Sequence, residues 1–127
     1  MIRIYGIREH LDPVKAVLSD VINECMVEAL SFPANKRCHR FFPMEKEDYY
    51  YPEGRSSAYT VIEINLMEGR STAAKKKLLH LLFEKIEKQV GIHPVDVEIT
   101  LFEAPACNWG FRGTTGDEAA LTYTVKV

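Results

Sequence analysis

Residues 59–67 read Tyr59-Thr60-Val61-Ile62-Glu63-Ile64-Asn65-Leu66-Met67. Thr60, Ile62, Ile64 and Leu66 fall on one side of an extended chain, and Tyr59, Val61, Glu63 and Asn65 on the other. That period of two predicts a strand with one face toward a core. Downstream, Ser71 is placed to cap a helix whose apolar stripe is Ala74, Leu78, Leu81, Leu82 and Ile86. Gly91 closes that helix as a left-handed C-terminal residue. Val95, Val97, Ile99 and Leu101 then alternate with Asp96, Glu98 and Thr100, which predicts a second strand. The segment is a β-α-β unit.

Working outward, the first third of the chain repeats the plan. Ile2, Ile4 and Gly6 alternate with Arg3, Tyr5 and Ile7 in a strand. Asp12 offers an N-cap oxygen, and Pro13 sits where a first helical turn has no N–H to lose. Val14, Val17, Leu18, Val21, Ile22, Cys25, Met26 and Ala29 follow at helical spacing. Pro33 is expected to stop the helix, and Cys38 to Phe42 reads as a short strand. Pseudo-repeats 1–43 and 58–102 share even their joints, Phe32-Pro33-Ala34-Asn35 and Ile92-His93-Pro94-Val95. Each unit's two strands should run parallel. The predicted fold is α+β, a two-layer sandwich of one domain over 1–127, with a four-stranded sheet and both helices on one face. Residues 44–54 read as a loop or small hairpin, 110–116 as a glycine-rich turn, and 121–127 as a short strand. The other sheet face is mixed: Arg3, Tyr5, Glu63, Asn65 and Glu98. A monomer and a closed oligomer with a polar centre both fit such a face.

Composition narrows the function classes. A chain of 127 residues is long enough to fold without a covalent staple. Its net charge of −2 argues against a nucleic-acid or anionic-membrane partner. Cys25, Cys38 and Cys107 are odd in number and far apart, as expected of reduced thiols. No signal peptide is read at Met1-Ile2-Arg3-Ile4, and no apolar run approaches the roughly 20 residues of a membrane span. A cytoplasmic location is the expectation. His10, His39, His80 and His93 lack metal-ligand spacing, so no metal and no other cofactor is expected. The run Gly110 to Gly116 lacks the Lys-Ser/Thr end of a phosphate loop. Acidic neighbours of Tyr49-Tyr50-Tyr51 argue against base stacking.

Several stretches, taken in order, carry a resemblance: Met26-Val27-Glu28-Ala29, Pro33-Ala34-Asn35, Gly54-Arg55-Ser56-Ser57-Ala58, Gly91-Ile92 with Pro94 and Asp96-Val97, Trp109 with Phe111, and Thr115-Gly116-Asp117. Together they resemble the tautomerase superfamily, the group of macrophage migration inhibitory factor. Within it the match is nearest to the malonate semialdehyde decarboxylase branch and tautomerase-like bacterial proteins. The resemblance implies a homotrimer, sites near subunit interfaces, small carbonyl acids as substrates, an N-terminal proline as the reacting nitrogen, and arginines that grip the carboxylate. Here Met1 stands in the proline's place, and bulky Ile2 predicts that the methionine is kept. Lys36 stands where the decarboxylase branch has an aspartate after Pro-Ala-Asn. Of that branch's two arginines before the second helix, Glu68 replaces the first and Arg70 retains the second.

The candidate site residues follow. The Met1 α-amine has an ordinary pKa of about 7.7–8.0, and a cation such as Arg37 or Lys36 would lower it toward a usable base. Its alternative is a plain solvated terminus. Arg70 is the candidate carboxylate ligand, its alternative a surface arginine paired with Glu68 or Glu45. Arg37 is a second candidate ligand; in a regular strand it and Arg40 cannot point the same way. Trp109, with Phe111, is placed by the resemblance near the site mouth, against an alternative of plain packing. Asn65 or Tyr59 is a candidate to polarise a carbonyl. The functional expectation is an isomerase-type keto–enol tautomerisation of a small α-keto acid by the Met1 amine. The competing expectation is a non-catalytic trimeric module that binds a small carboxylate or a protein.

Overall fold

A computed structural model describes all residues, 1–127. The elements in order are β1 (Ile2–Ile7), α1 (Arg8–Leu11), α2 (Lys15–Leu30), β2 (His39–Met44), β3 (Thr60–Met67), α3 (Thr72–Val90), β4 (Val97–Ala104), β5 (Gly110–Phe111) and β6 (Thr114–Thr115). Strands β2-β1-β3-β4 form one sheet, with β1 parallel to β2, antiparallel to β3, and β3 parallel to β4. The fold is α+β, two β-α-β units sharing one four-stranded sheet.

The alternating strands drive this arrangement. Ile4 of β1 pairs with Ile62 of β3, and Ile62 with Ile99 of β4, so their side chains share a face. Helices α2 and α3 lie side by side over that face. Leu18 and Ile22 of α2 and Leu78, Leu82 and Ile86 of α3 are fully buried against Ile4, Ile62 and Ile64. Each such side chain contributes about 1.5–3 kcal/mol by leaving water. The second helix follows its predicted signals: Ser71 Oγ accepts the Ala74 N–H at 3.1 Å, and Gly91 ends the helix at φ 85°.

The first helix differs from its sequence reading. Asp12 caps nothing with its side chain; it ends the short α1, pairing with Arg8 at 3.6 Å and Lys15 at 3.3 Å. Proline at position 13 cannot donate a helical hydrogen bond, so the chain breaks there and α2 starts at Lys15 behind an uncapped Val14. Val17 points to solvent rather than into the apolar stripe. The helix stops at Leu30, before proline can act, because Ser31 turns left-handed at φ 54° with its N–H on Val27 O at 3.0 Å. The last strand starts later than predicted. Pro94–Asp96 form a 3₁₀ turn whose first N–H groups include Val95 N–H bonded to His93 Nδ1 at 3.2 Å, and Val95 is exposed. Buried Asp96 accepts from Ser56 N at 2.7 Å and Ser56 Oγ at 2.6 Å, tying down the preceding loop.

Residues 44–54 form no hairpin; Lys46–Asp48 make one 3₁₀ turn, and Tyr49 donates its hydroxyl to Tyr59 O at 3.1 Å. Strands β5 and β6 make a small hairpin through Arg112 and Gly113, at φ 53° and 77°. The predicted strand over 121–127 is absent. The segment finds no ladder partner and is held by side chains instead. Tyr123 meets the Phe32 ring at 5.1 Å, and Ser71 Oγ donates to Val127 O at 3.2 Å.

The face away from the helices carries Arg3, bonded to Glu63 and to Asn65 Oδ1 at 3.3 Å each, and Tyr5 stacked on Phe42 at 5.0 Å. No helix is long and apolar enough to cross a membrane.

Candidate functional site

The start of β1, the end of β3 and the start of α3 converge at one end of the two central strands. Pairing places Met1 beside Asn65: Asn65 N donates to Met1 O at 2.9 Å, and the Met1 amine donates to Asn65 O at 3.3 Å. Two residues after β3 ends, Gly69 takes φ 138°, which only glycine adopts readily, and the chain turns so that Arg70 folds back under Met67. Beside them opens a cavity of about 440 Å³, lined among others by Met1, Asn65, Arg70, Trp109 and Tyr123.

Arg70 is the unusual group. Only 6% of it is exposed. Its Nη1 donates to Met67 O at 3.0 Å, while Nε and Nη2 have no partner. Those two nitrogens form one edge of the guanidinium, the edge that matches the two oxygens of a carboxylate. Burial pulls its pKa down; Tyr123 and Glu103 oppose this by favouring the cation, although neither completes a hydrogen bond to it. The surface pairings with Glu68 or Glu45 do not form, and Glu45 bonds Arg8 at 2.8 Å instead.

The Met1 amine has a pKa below the ordinary 8.0, chiefly through burial; nearby Cys38 opposes the shift, and Arg3, Arg40 and Arg70 add to it. The cations differ from those the sequence pointed to. Lys36 reaches the cavity but lies over the Tyr123 ring at 5.0 Å. Arg37 also lines the cavity, yet its Nη1 is held by Asp20 at 2.6 Å and Ser19 Oγ at 3.3 Å on α2. Arg40 contacts the Met1 sulfur on the uncovered sheet face. Trp109 and Phe111 both form cavity wall, and the indole N–H donates to Ala104 O at 3.3 Å. Asn65 lines the cavity with its Oδ1 taken by Arg3, which leaves the amide N–H groups as its available donors. Tyr59 does not line it; its buried ring packs with Tyr49 and Tyr51.

Sequence reasoning missed Cys38, Phe32, Leu121 and Tyr123 as wall residues. The first two lie in the link between α2 and β2, and the others in a tail read as strand; no periodicity marks any of them. No group of three His, Cys, Asp or Glu side chains is disposed to hold a metal ion.

The wall just described is largely built from residues after β2 begins. The family model described as "Tautomerase enzyme" matches residues 36–112, more than half of the chain. The chain belongs to the tautomerase family. Arg37, Arg70 and Trp109 fall inside the matched span, and Met1 outside it. Among solved structures, this tautomerase-family chain is similar to malonate semialdehyde decarboxylase. The two are 26% identical with a TM-score of 0.79, covering 87% of this chain and 89% of that one. That work describes wild-type, proline-to-alanine mutant and inactivated forms, and decarboxylase and hydratase activities. A fused 4-OT, described as an asymmetric trimer, is 22% identical with a TM-score of 0.80, covering 91% and 95%. A member of the cis-3-chloroacrylic acid dehalogenase family is 17% identical with a TM-score of 0.79, covering 90% and 81%. The last two likenesses are of fold.

Proposed function

We propose that this tautomerase-family protein interconverts the keto and enol forms of a small α-keto acid, with the Met1 α-amine carrying the proton. The single observation that supports the reading is the partnerless Nε/Nη2 edge of buried Arg70, a residue that lines the same cavity as Met1. A buried cation with two unused donors calls for an anion, and a carboxylate fits that fork in bidentate fashion.

With its carboxylate on Arg70, an α-keto acid brings its carbonyl and the adjacent carbon toward Met1. The neutral amine takes a proton from that carbon, and the electron pair moves onto the carbonyl oxygen. The amide N–H groups of Asn65 stabilise the enolate oxygen, which is where catalytic advantage concentrates. The ammonium then returns the proton. Phe32, Trp109, Phe111 and Tyr123 add apolar surface to the cavity, which favours the neutral amine and strengthens each polar contact. Arg37, held through Nη1 by Asp20, is a second candidate ligand for the carboxylate through its other nitrogens. As in the trimer described for the fused 4-OT, we infer a homotrimer that closes the uncovered sheet face.

Ketonisation of phenylenolpyruvate, followed by absorbance, tests the proposal. Catalysis above the buffer rate is expected, lost on N-terminal acetylation and on Arg70→Ala. Intact mass establishes beforehand that Met1 bears the free amine. A background rate in the unmodified protein, with carboxylate binding that still needs Arg70, would select the non-catalytic carboxylate-binding module instead.

A further inference from the structure

Cys38 lies immediately before β2 and lines the cavity shared by Met1 and Arg70. Its thiol is free and the residue is exposed. Its carbonyl accepts the Ile2 N–H at 2.9 Å, which fixes it beside the start of β1. The sulfur is near enough to Met1 to influence the amine's charge, and Arg40 Nη1 stands 3.8 Å from it, a cation beside a sulfur that carries negative charge once its proton leaves. A cysteine alone defines no site. The second observation is Arg70, 94% withdrawn from solvent by its 6% exposure, with two unpartnered donors in the same cavity.

We propose that Cys38 is a second reactive centre of this cavity, one that adds through sulfur to small α-keto acids conjugated to a C=C bond. The proposal rests on the carboxylate reading of Arg70 given above. With the carboxylate on Arg70, the thiol gives its proton to the neutral Met1 amine and the sulfur bonds to the far carbon of the alkene. The alkene π pair shifts to join the carbonyl as an enolate. The Met1 ammonium then protonates the carbon next to the carbonyl and restores the ketone. Every atom of the acid is kept, no oxidant or reductant enters, and the Met1 amine ends neutral. The enolate is the same kind of species that tautomerisation passes through, so one polar arrangement serves both reactions.

The other two cysteines are internal controls. Cys25 is buried in the core, and burial pushes its thiol up to about 11. Cys107 is exposed but does not line the cavity, and its Sγ meets Asn108 Oδ1 at 3.6 Å. The intact protein is treated with 2-oxo-3-butenoate or with its uncharged methyl ester, and labelling at each cysteine is timed by peptide mass mapping. The acid is expected to label Cys38 at least about tenfold faster than Cys107, a preference a single charged hydrogen-bonding partner supplies. The added mass should equal the whole acid. The ester should label Cys38 and Cys107 at similar rates, and pyruvate should protect Cys38 from the acid. Arg70→Met should erase the preference, with circular dichroism verifying its fold; pyruvate protection serves as the readout should that variant not fold. Equal labelling by the acid, with Arg70-dependent ketonisation intact, overturns the Cys38 proposal and leaves the carboxylate site standing. Equal labelling together with Arg70-independent ketonisation overturns both.

Discussion

The guanidinium of Arg70 is anchored by a single bond, Nη1 to the carbonyl oxygen of Met67 at 3.0 Å, and its two remaining nitrogens stay buried without partners. A buried donor left unpaired costs about 1–3 kcal/mol. This arginine therefore weakens the unliganded fold, and an anion on its free edge would offset that cost.

Arg70→Met separates those effects. The methionine keeps most of the volume and removes the unpaired donors, so the free protein should unfold at an equal or higher temperature. The kcat/KM for phenylenolpyruvate should fall by roughly 10- to 100-fold, the worth of a charge-assisted contact of about 1.5–3 kcal/mol. Calorimetry and ketonisation on one preparation check both halves. A marked loss of stability with unchanged kcat/KM contradicts the assignment.

The Met1 amine sets the pH dependence. Burial lowers its pKa in the fold from 8.0, so between the folded value and about 8 the unfolded chain holds more protons. Stability from this group is thus complete above about 8 and declines as pH falls through the folded value. If Met1 is the base, activity should rise with pH through that same folded value, because only the neutral amine takes a proton. The pH profile of kcat/KM should show a rising limb whose midpoint lies below 8.0. Acetylating the amine should abolish both the limb and this share of the stability slope.

Much of this fold is legible in single elements. The alternation of β3 survives intact, with Thr60, Ile62, Ile64 and Leu66 buried, because a strand's faces are set by local geometry. Ser71 and Gly91 bound α3 for equally local reasons. Asp12 misleads because the cap residues at that point are chosen by Pro13 and by the extra turn α1, which a single helical stripe hides. At the site, Met1, Arg70 and Trp109 were nominated by family likeness, and all three line one cavity. Nothing local foretells that Arg70 keeps a free edge, since this depends on the Met67 carbonyl and on Glu68 facing elsewhere. Nor does spacing foretell that Asp20, 17 positions back, holds Arg37, or that Tyr123 in the tail covers Phe32 and Lys36.

Gly116 holds the Trp109 wall. Its N–H donates to Trp109 O at 2.8 Å, and a Cβ there would stand 2.5 Å from Ala106 O and 2.9 Å from Met67 Cε. The Met67 methyl can swing aside, but the backbone oxygen cannot without moving the turn that carries Trp109. Gly116→Ala should cost about 1–3 kcal/mol in urea unfolding, as overpacking does. The indole should gain solvent, seen as a red-shifted emission, and KM should rise more than kcat falls.

His39 governs the acid side of the stability curve. Its ring lies between β2 and α2, with Nδ1 at 2.8 Å from Ser19 Oγ. Burial first, then the charges of Arg37 and the N-terminus, lowers its pKa from 6.5 to about 4. Below 6.5 the unfolded chain takes a proton on this histidine that the native chain refuses. Stability is therefore complete above about 6.5 and drains away as pH falls toward 4. The loss should be on the order of 1–3 kcal/mol, reduced from the full linkage value because the ring is only partly buried. His39→Asn keeps a polar partner for Ser19 and cannot titrate, so its stability difference between neutral pH and the acid end of this window should shrink by about that amount. Arg37→Gln removes one of the charges that hold this pKa down, so the native histidine protonates more readily and the acid loss of stability linked to it should shrink. Urea melts of the three proteins across the window measure this directly. Parallel curves for wild type and His39→Asn would place the acid sensitivity elsewhere.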